Sequence, residues 1–160
     1  MRKKTSDLTA YQQALGLLVR REHSRRELKR KLKERGKEHE EIDLALDNLS
    51  RQDFQNDERF AFALARSRQS AGYGPQRIRA ELYQHSLESE YIDQAISALN
   101  CDWLELAQDL VARRYLRKIK QDPNQVRKAV DFLLRRGFDQ KTAYTAVKIR
   151  DWPETQQFID

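Results

Sequence analysis

The side chains best suited to chemistry in this sequence are cations, and they are clustered. Residues 20–35 hold nine Lys or Arg against three Glu, residues 66–79 hold four Arg and no acid, and residues 113–120 hold five Lys or Arg and no acid. Clusters of one sign favour a polyanion, or an acidic groove on another protein, as the binding partner. The candidate binding residues for DNA or a protein partner are Arg25, Arg26, Lys29, Arg30, Lys33, Arg66, Arg68, Tyr73, Arg77, Arg79, Arg113, Arg114, Arg117 and Lys118.

The first cluster lies on a predicted helix. If Leu28 and Leu32 face inward, helical geometry places Arg26, Arg30 and Lys33 on the opposite face. Like charges four residues apart cost a few tenths of a kcal/mol, so a purely structural helix would normally alternate its signs. The excess of one sign favours a binding face, and an ordinary solvated face is the alternative.

The other two clusters have alternatives of the same kind. Four arginines flank the Gly72–Pro75 turn, and Tyr73 would be exposed at the tip of a tight turn, where Arg and Tyr suit a protein interface or stacking on unpaired bases. Alternatively, Tyr73 closes a small core in the middle of the chain. Residues 113–120 are either a helix end that contacts phosphates or a linker to Asp122 and Pro123.

No pattern in the sequence predicts catalysis or a bound metal. The three histidines have neither HExxH nor His-x3-His spacing, and the acids around His39 are typical of a solvated helix start. Cys101 has no adjacent base, and Gly72-Tyr73-Gly74 lacks the Gly-Lys-Ser/Thr ending of a phosphate-binding loop. We therefore expect a protein that is not an enzyme and needs no cofactor.

Composition limits the setting of the protein. The 160 residues carry a net charge of +6, and the single cysteine is compatible with a reducing cytoplasm. The basic N-terminus lacks the apolar segment of a signal peptide, and no apolar run reaches the roughly 20 residues needed to span a bilayer. We expect a soluble, cytoplasmic monomer.

The sequence repeats with a period of about 50 residues. Gly36, Ser86 and Gly137, spaced 50 and 51 residues apart, mark equivalent positions in three copies. Small or branched apolar residues recur at fixed offsets from them, in the sets Leu28, Ile78, Ala129; Leu32, Leu82, Leu133; Ile42, Ile92, Ala143; and Ala45, Ala95, Ala146. A fifth set, Leu49 and Leu99, ends at Arg150 in the third copy.

Each copy predicts three short helices. The apolar spacing is helical, Ser24 to Glu27 and Asp102 to Glu105 predict capping boxes, and Asp139 predicts a helix start. The predicted fold is all-α, with about nine helices in three tandem three-helix units that form an elongated, curved array. The predicted boundaries are a flexible N-terminus at 1–10, units at 11–52, 53–100 and 101–151, and a tail at 152–160.

Residues of the first two copies resemble the signature of the RecX regulatory proteins. The resemblance covers about residues 11–150 and departs from the usual pattern at Asn56-Asp57 and at Ser86, where a glycine is common. Its motifs are Arg59-Phe60-Ala61, Arg68, Gly72-Tyr73-Gly74-Pro75, Arg77-Ile78-Arg79 and Leu82, preceded by His23-Ser24, Glu27-Leu28 and Lys31-Leu32.

The resemblance implies a cytoplasmic protein with three three-helix domains that binds the RecA recombinase. Such proteins lodge in the groove of the RecA–DNA filament and restrain filament extension, ATP hydrolysis and strand exchange. Two other functions remain open on the residues alone. One is a freestanding nucleic-acid binder whose basic helices track single- or double-stranded DNA. The other is a helical-repeat adaptor for a different protein.

Overall fold

The structure is a computed structural model that describes residues 8–148. That range contains nine α-helices and no strand, which confirms the all-α prediction. In chain order the helices are α1 Ala10–Leu18, α2 Arg25–Glu34, α3 His39–Arg51, α4 Asp57–Ser70, α5 Pro75–Tyr83, α6 Ser89–Ser97, α7 Trp103–Gln121, α8 Gln125–Arg135 and α9 Gln140–Val147. Arg150, the predicted tail and most of the predicted flexible N-terminus lie outside the described residues.

The helices form two compact units. Among residues 8–148, one unit contains residues 8–67 together with Arg79–Leu99, and the other contains Arg68–Ile78 together with residues 100–148. The Gly72–Pro75 turn therefore belongs to the same compact unit as α7, α8 and α9, although it lies in the middle copy of the repeat. The predicted domain boundaries and the elongated, curved arrangement remain predictions.

Polar side chains define where several helices begin. Thr9 caps α1 in a full capping box with Gln12, a signal that the sequence analysis missed. The Ser24 hydroxyl accepts the Glu27 N–H at 3.1 Å, but the Glu27 carboxylate accepts hydrogen bonds from Arg21 and completes no box. Only this half of the predicted box forms, because an arginine is a stronger donor to a carboxylate than a neutral N–H.

The second helix of each copy ends in the same left-handed turn. The backbone φ is +79° at Gly36, +56° at Ser86 and +88° at Gly137, the three residues that mark the repeat. Glycine adopts this conformation without steric cost, whereas serine does so less readily. Ser86 thus keeps the turn despite its departure from the usual glycine.

The apolar positions of the repeat form the cores. All twelve residues of the four complete sets are buried, with exposures of 5% or less. In α4 the buried residues are Phe60, Ala61 and Ala65, and Val19, in the turn after α1, is 80% exposed. None of the described helices has the length and apolar character to cross a membrane.

The core of the first three helices provides a stability test. Leu32→Ala removes a side chain with no exposed surface and should lower the free energy of unfolding by about 2–5 kcal/mol, because the cavity cannot close completely. Leu44→Ala, at a residue 62% exposed, should change it by about 0.5 kcal/mol or less. Urea unfolding followed by circular dichroism measures both, and equal effects would contradict this assignment of the core.

Candidate polyanion-binding surface

The cations of α2 are largely paired within their own domain. Arg25 lies 2.6 Å from Asp47 and Lys29 lies 2.8 Å from Asp43, both acids on α3, while Arg30 pairs with Glu34 one turn along α2. The hydrogen bond from Lys29 lowers the pKa of Asp43 and keeps that carboxylate charged. The solvated-face alternative therefore describes these three candidates better than a free binding surface does.

The remaining α2 candidates differ from those three. The Arg26 guanidinium donates to the Ser86 hydroxyl, and Lys33 is exposed without an ion pair among the described residues. Glu34 lies on α2 itself, whereas Asp43 and Asp47 come from residues 38–60, a segment whose excess of acid is visible in the sequence. Their register against α2 is set by helix packing, which periodicity does not reveal.

A buried polar cluster beside α2 was missed by the sequence analysis. The Ser24 hydroxyl, fully buried, lies 2.7 Å from Nδ1 of His85, and the His85 ring packs on Phe60 with 4.6 Å between centroids. Ser24 accepts the Glu27 N–H, and its own O–H can donate to Nδ1 when that nitrogen carries no proton. The partners are 61 residues apart, and no sequence spacing connects them.

This arrangement favours neutral His85. Burial is the largest influence and lowers the pKa of His85, and the positive charges of Arg21 and Arg26 add to it. The carboxylates of Glu27 and Glu81 act in the opposite direction without reversing the shift. A protonated ring could not accept the Ser24 hydroxyl, and the buried O–H would lose its acceptor.

The Gly72–Pro75 turn docks on the turn between α8 and α9. The Gly74 N–H donates to the Arg136 carbonyl at 2.8 Å, and the Gln76 N–H donates to the Gly137 carbonyl at 3.0 Å. A Cβ on Gly74 would lie 2.5 Å from the Gly137 carbonyl oxygen, and a Cβ on Gly137 would lie 2.4 Å from the Arg77 nitrogen. Both glycines are needed because two backbones meet there without room for a side chain.

This docking corrects both predictions for Tyr73. The ring is half-buried rather than exposed at a tip, and its neighbours include a residue of the third copy rather than a core of the middle copy alone. The Arg136 guanidinium lies 4.9 Å from its centroid and that of Arg77 lies 5.6 Å away. Arg136 also donates to the carbonyls of Ala71 and Gly72, which fixes it against the turn.

The stacking continues along α7 and α8. Arg136 and Arg114 each lie 5.1 Å from the Phe132 centroid, Phe132 packs on Tyr115, and Lys118 lies 5.5 Å from the Tyr115 centroid. We call this set the arginine–aromatic ladder. Its members are Arg77, Tyr73, Arg136, Phe132, Arg114, Tyr115 and Lys118.

The ladder joins four of the predicted residues and leaves others apart. It brings together Tyr73, Arg77, Arg114 and Lys118, and it adds Arg136 and Phe132, which the sequence analysis missed. The one available signal was the position of Arg136 beside Gly137, a residue that marks the repeat.

The other candidates occupy different environments. Arg79 pairs with Asp93, which raises the pKa of Arg79, and Arg113 pairs with Asp109 at 2.8 Å. Arg68 is half-buried, and Arg66 and Arg117 are exposed. Residues 113–120 form the C-terminal part of the long helix α7, with Lys118 and Lys120 in its last turn, so they are a helix end and not a linker.

The described residues define an all-helical repeat protein with a surface of arginines stacked on aromatic rings. They contain no group of three His, Cys, Asp or Glu side chains that could hold a metal ion. Three successive three-helix copies supply the scaffold, and surface cations supply its most evident chemistry. This is the class of protein that fold and surface together define.

Comparisons with known proteins identify the family. The first, second and third three-helix domains of RecX match residues 10–49, 56–96 and 101–147 in order. The regulatory protein RecX of Xanthomonas axonopodis pv. citri is 47% identical over 146 residues, which cover 91% of this chain and 90% of the relative. That of Stenotrophomonas maltophilia is 50% identical over 138 residues, covering 86% and 85%.

Solved structures agree with the fold. The crystal structure of a regulatory protein RecX has a TM-score of 0.72 and 25% identity, covering 87% of this chain and 70% of that one. RecX from Lactobacillus salivarius has the same TM-score, with 23% identity and coverage of 86% and 92%. The chain belongs to the RecX family of regulatory proteins.

The docked turn predicts a sharp effect of one methyl group. Gly74→Ala should weaken the contact with Gly137 by about 1–3 kcal/mol, because the new Cβ meets backbone that cannot move aside cheaply. The amides of Gly74 and Gln76, which donate across the contact, should then exchange hydrogen faster. The matched control is Gly16→Ala in α1, where the new methyl meets open space and should stabilise the helix by about 0.5–1 kcal/mol. Unchanged amide hydrogen exchange at positions 74 and 76 in Gly74→Ala would show that the contact with Gly137 tolerates a side chain.

The lowered pKa values of His23 and His85 predict a loss of stability in mild acid. His23 and His85 both have a lowered pKa, mainly because of burial, so the folded state binds fewer protons than the unfolded state near pH 6. Their contribution is complete above the ordinary histidine pKa of about 6.5 and decreases as the pH falls below it. Unfolding free energies measured from pH 7.5 to pH 5 should show this decrease, and His85→Gln should reduce its slope. An unaltered slope in this variant would show that His85 does not contribute to the pH dependence of stability.

Proposed function

We propose that this protein is a negative regulator of the RecA recombinase. It binds the RecA–DNA filament and inhibits filament extension, ATP hydrolysis and strand exchange. The observation that carries the proposal is the match of three consecutive domains to the RecX family, together with relatives that are named regulatory proteins over nearly their whole length. In this proposal the protein works in the cytoplasm as a monomer and without a cofactor.

Binding alone is sufficient for this kind of inhibition. A filament repeats the same surface along its length, so successive domains can contact neighbouring protomers. Each contact needs only modest affinity, because the first to form raises the effective concentration of the next. A chain held across protomers opposes the changes that accompany ATP hydrolysis, and a chain held at the filament end blocks addition of another protomer.

The surface charge supports a partner that carries DNA. Most α2 cations are neutralised internally, whereas the ladder cations Arg77, Arg114 and Lys118 make no ion pair among residues 8–148. Uncompensated positive charge speeds encounter with a polyanion and adds affinity that depends on salt. This feature would serve a freestanding DNA binder equally well, so the test must separate the two functions.

The separating test is inhibition of RecA at substoichiometric amounts. RecA is assembled on single-stranded DNA, and ATP hydrolysis is followed while the protein is added at far less than one copy per RecA protomer. A filament regulator should reduce the rate several-fold at these ratios, because one bound chain affects many protomers. A freestanding DNA binder should act only when it is abundant enough to cover the DNA.

Two controls complete this test. Lys141→Ala removes an exposed cation of α9 outside the ladder and should inhibit like the unmodified protein. Leu32→Ala, which damages the first core, should inhibit less. An unchanged hydrolysis rate at every ratio of protein to RecA would rule out the proposed function.

A further inference from the structure

The ladder differs from an ordinary basic surface in how its cations are held. Arg114 lies over the face of Phe132, and Arg136 lies over both Phe132 and Tyr73. A guanidinium stacked on a ring keeps its N–H donors at its rim and loses little freedom when it binds, since the ring has already restricted it. The guanidinium groups are therefore preorganised for ligand binding.

The aromatic members are unavailable to nucleobases. Phe132 is 9% exposed and Tyr115 is 8% exposed, so neither offers a free face. The half-buried Tyr73 ring has guanidinium groups over it from Arg136 and Arg77. Stacking of bases on aromatic rings normally supplies about 1–3 kcal/mol per base in single-strand binding, and this surface cannot supply it.

The donors that remain suit phosphate groups. Guanidinium binds phosphate oxygens through paired N–H donors, and a lysine ammonium binds them as a point charge. A protein surface mixes both signs of charge, whereas a nucleic-acid backbone repeats one sign at short intervals. A row of cations that is free of acidic partners among the described residues matches the second pattern.

We propose that the arginine–aromatic ladder binds the sugar–phosphate backbone of single-stranded nucleic acid without reading its bases. This inference rests on the proposed function insofar as the filament supplies the DNA. Arg77, Arg114 and Lys118 contact phosphates, and Arg136 holds the row together through its bonds to the Gly72–Pro75 turn. Contact with the backbone alone tolerates any base sequence.

The test uses DNA without RecA, so its failure is distinguishable from failure of the proposed function. Fluorescence anisotropy measures binding of the full chain to a labelled single strand and to an abasic strand of the same length, over a series of salt concentrations. The two strands should bind with dissociation constants within about twofold of each other, since the stacking contribution is absent. The logarithm of affinity should fall with the logarithm of salt concentration by about 0.7 per phosphate contacted.

Matched variants locate the binding. Arg114→Gln and Arg77→Gln should each weaken binding several-fold and reduce the salt slope by about 0.7. Arg114→Lys keeps the charge but loses the flat stacked group, so its affinity for the single strand should lie between those of Arg114→Gln and the unmodified protein. Lys141→Ala should bind as the unmodified protein does, and circular dichroism confirms that each variant is folded.

Three results would overturn the inference. One is a much weaker affinity for the abasic strand, which would mean that bases are contacted. Another is full binding by Arg114→Gln and Arg77→Gln, which would place the DNA elsewhere. The third is competition by polyglutamate as strong as that by DNA at equal charge, which would favour an acidic protein partner. If RecA is still inhibited in any of these cases, the proposed function stands and only the role of the ladder is lost.

Discussion

The contact between the backbones at Gly74 and Gly137 is the constraint on which the candidate surface depends. The two glycines approach so closely that a methyl group on either would overlap the opposite backbone, and two hydrogen bonds close the contact. Tyr73 and Arg136 each precede one of these glycines, so the contact determines that their side chains stack. Loosening this contact would separate Tyr73 and Arg77 from the ladder residues on α7 and α8.

Local rules were sufficient for the scaffold. Helical spacing and the 50-residue period located the core positions, and all twelve residues of the complete sets are buried. The residues that mark the repeat stand at the ends of the second helices, because a left-handed residue is needed there and glycine provides it at Gly36 and Gly137. Ser86 adopts the same conformation, which shows that its place in the repeat outweighs the preference of the residue type.

Ion pairs and hydrogen bonds between segments far apart in the chain could not be predicted from the sequence. Whether α2 presents free cations depends on Asp43 and Asp47 reaching it from α3, and that register follows from packing rather than from periodicity. The same limit hid the bond between Ser24 and His85 and the place of Arg136 at the centre of the ladder. Charge density alone pointed first to α2, yet its charges are the better compensated ones.

A reconstruction of this protein bound to a RecA filament on single-stranded DNA tests the central claim most directly. The account predicts that the chain lies along the filament with the guanidinium groups of Arg77 and Arg114 within hydrogen-bond distance of DNA phosphates, and with no base stacked on Tyr73. A bound chain whose ladder faces solvent, and which contacts the filament through α2 instead, would contradict it.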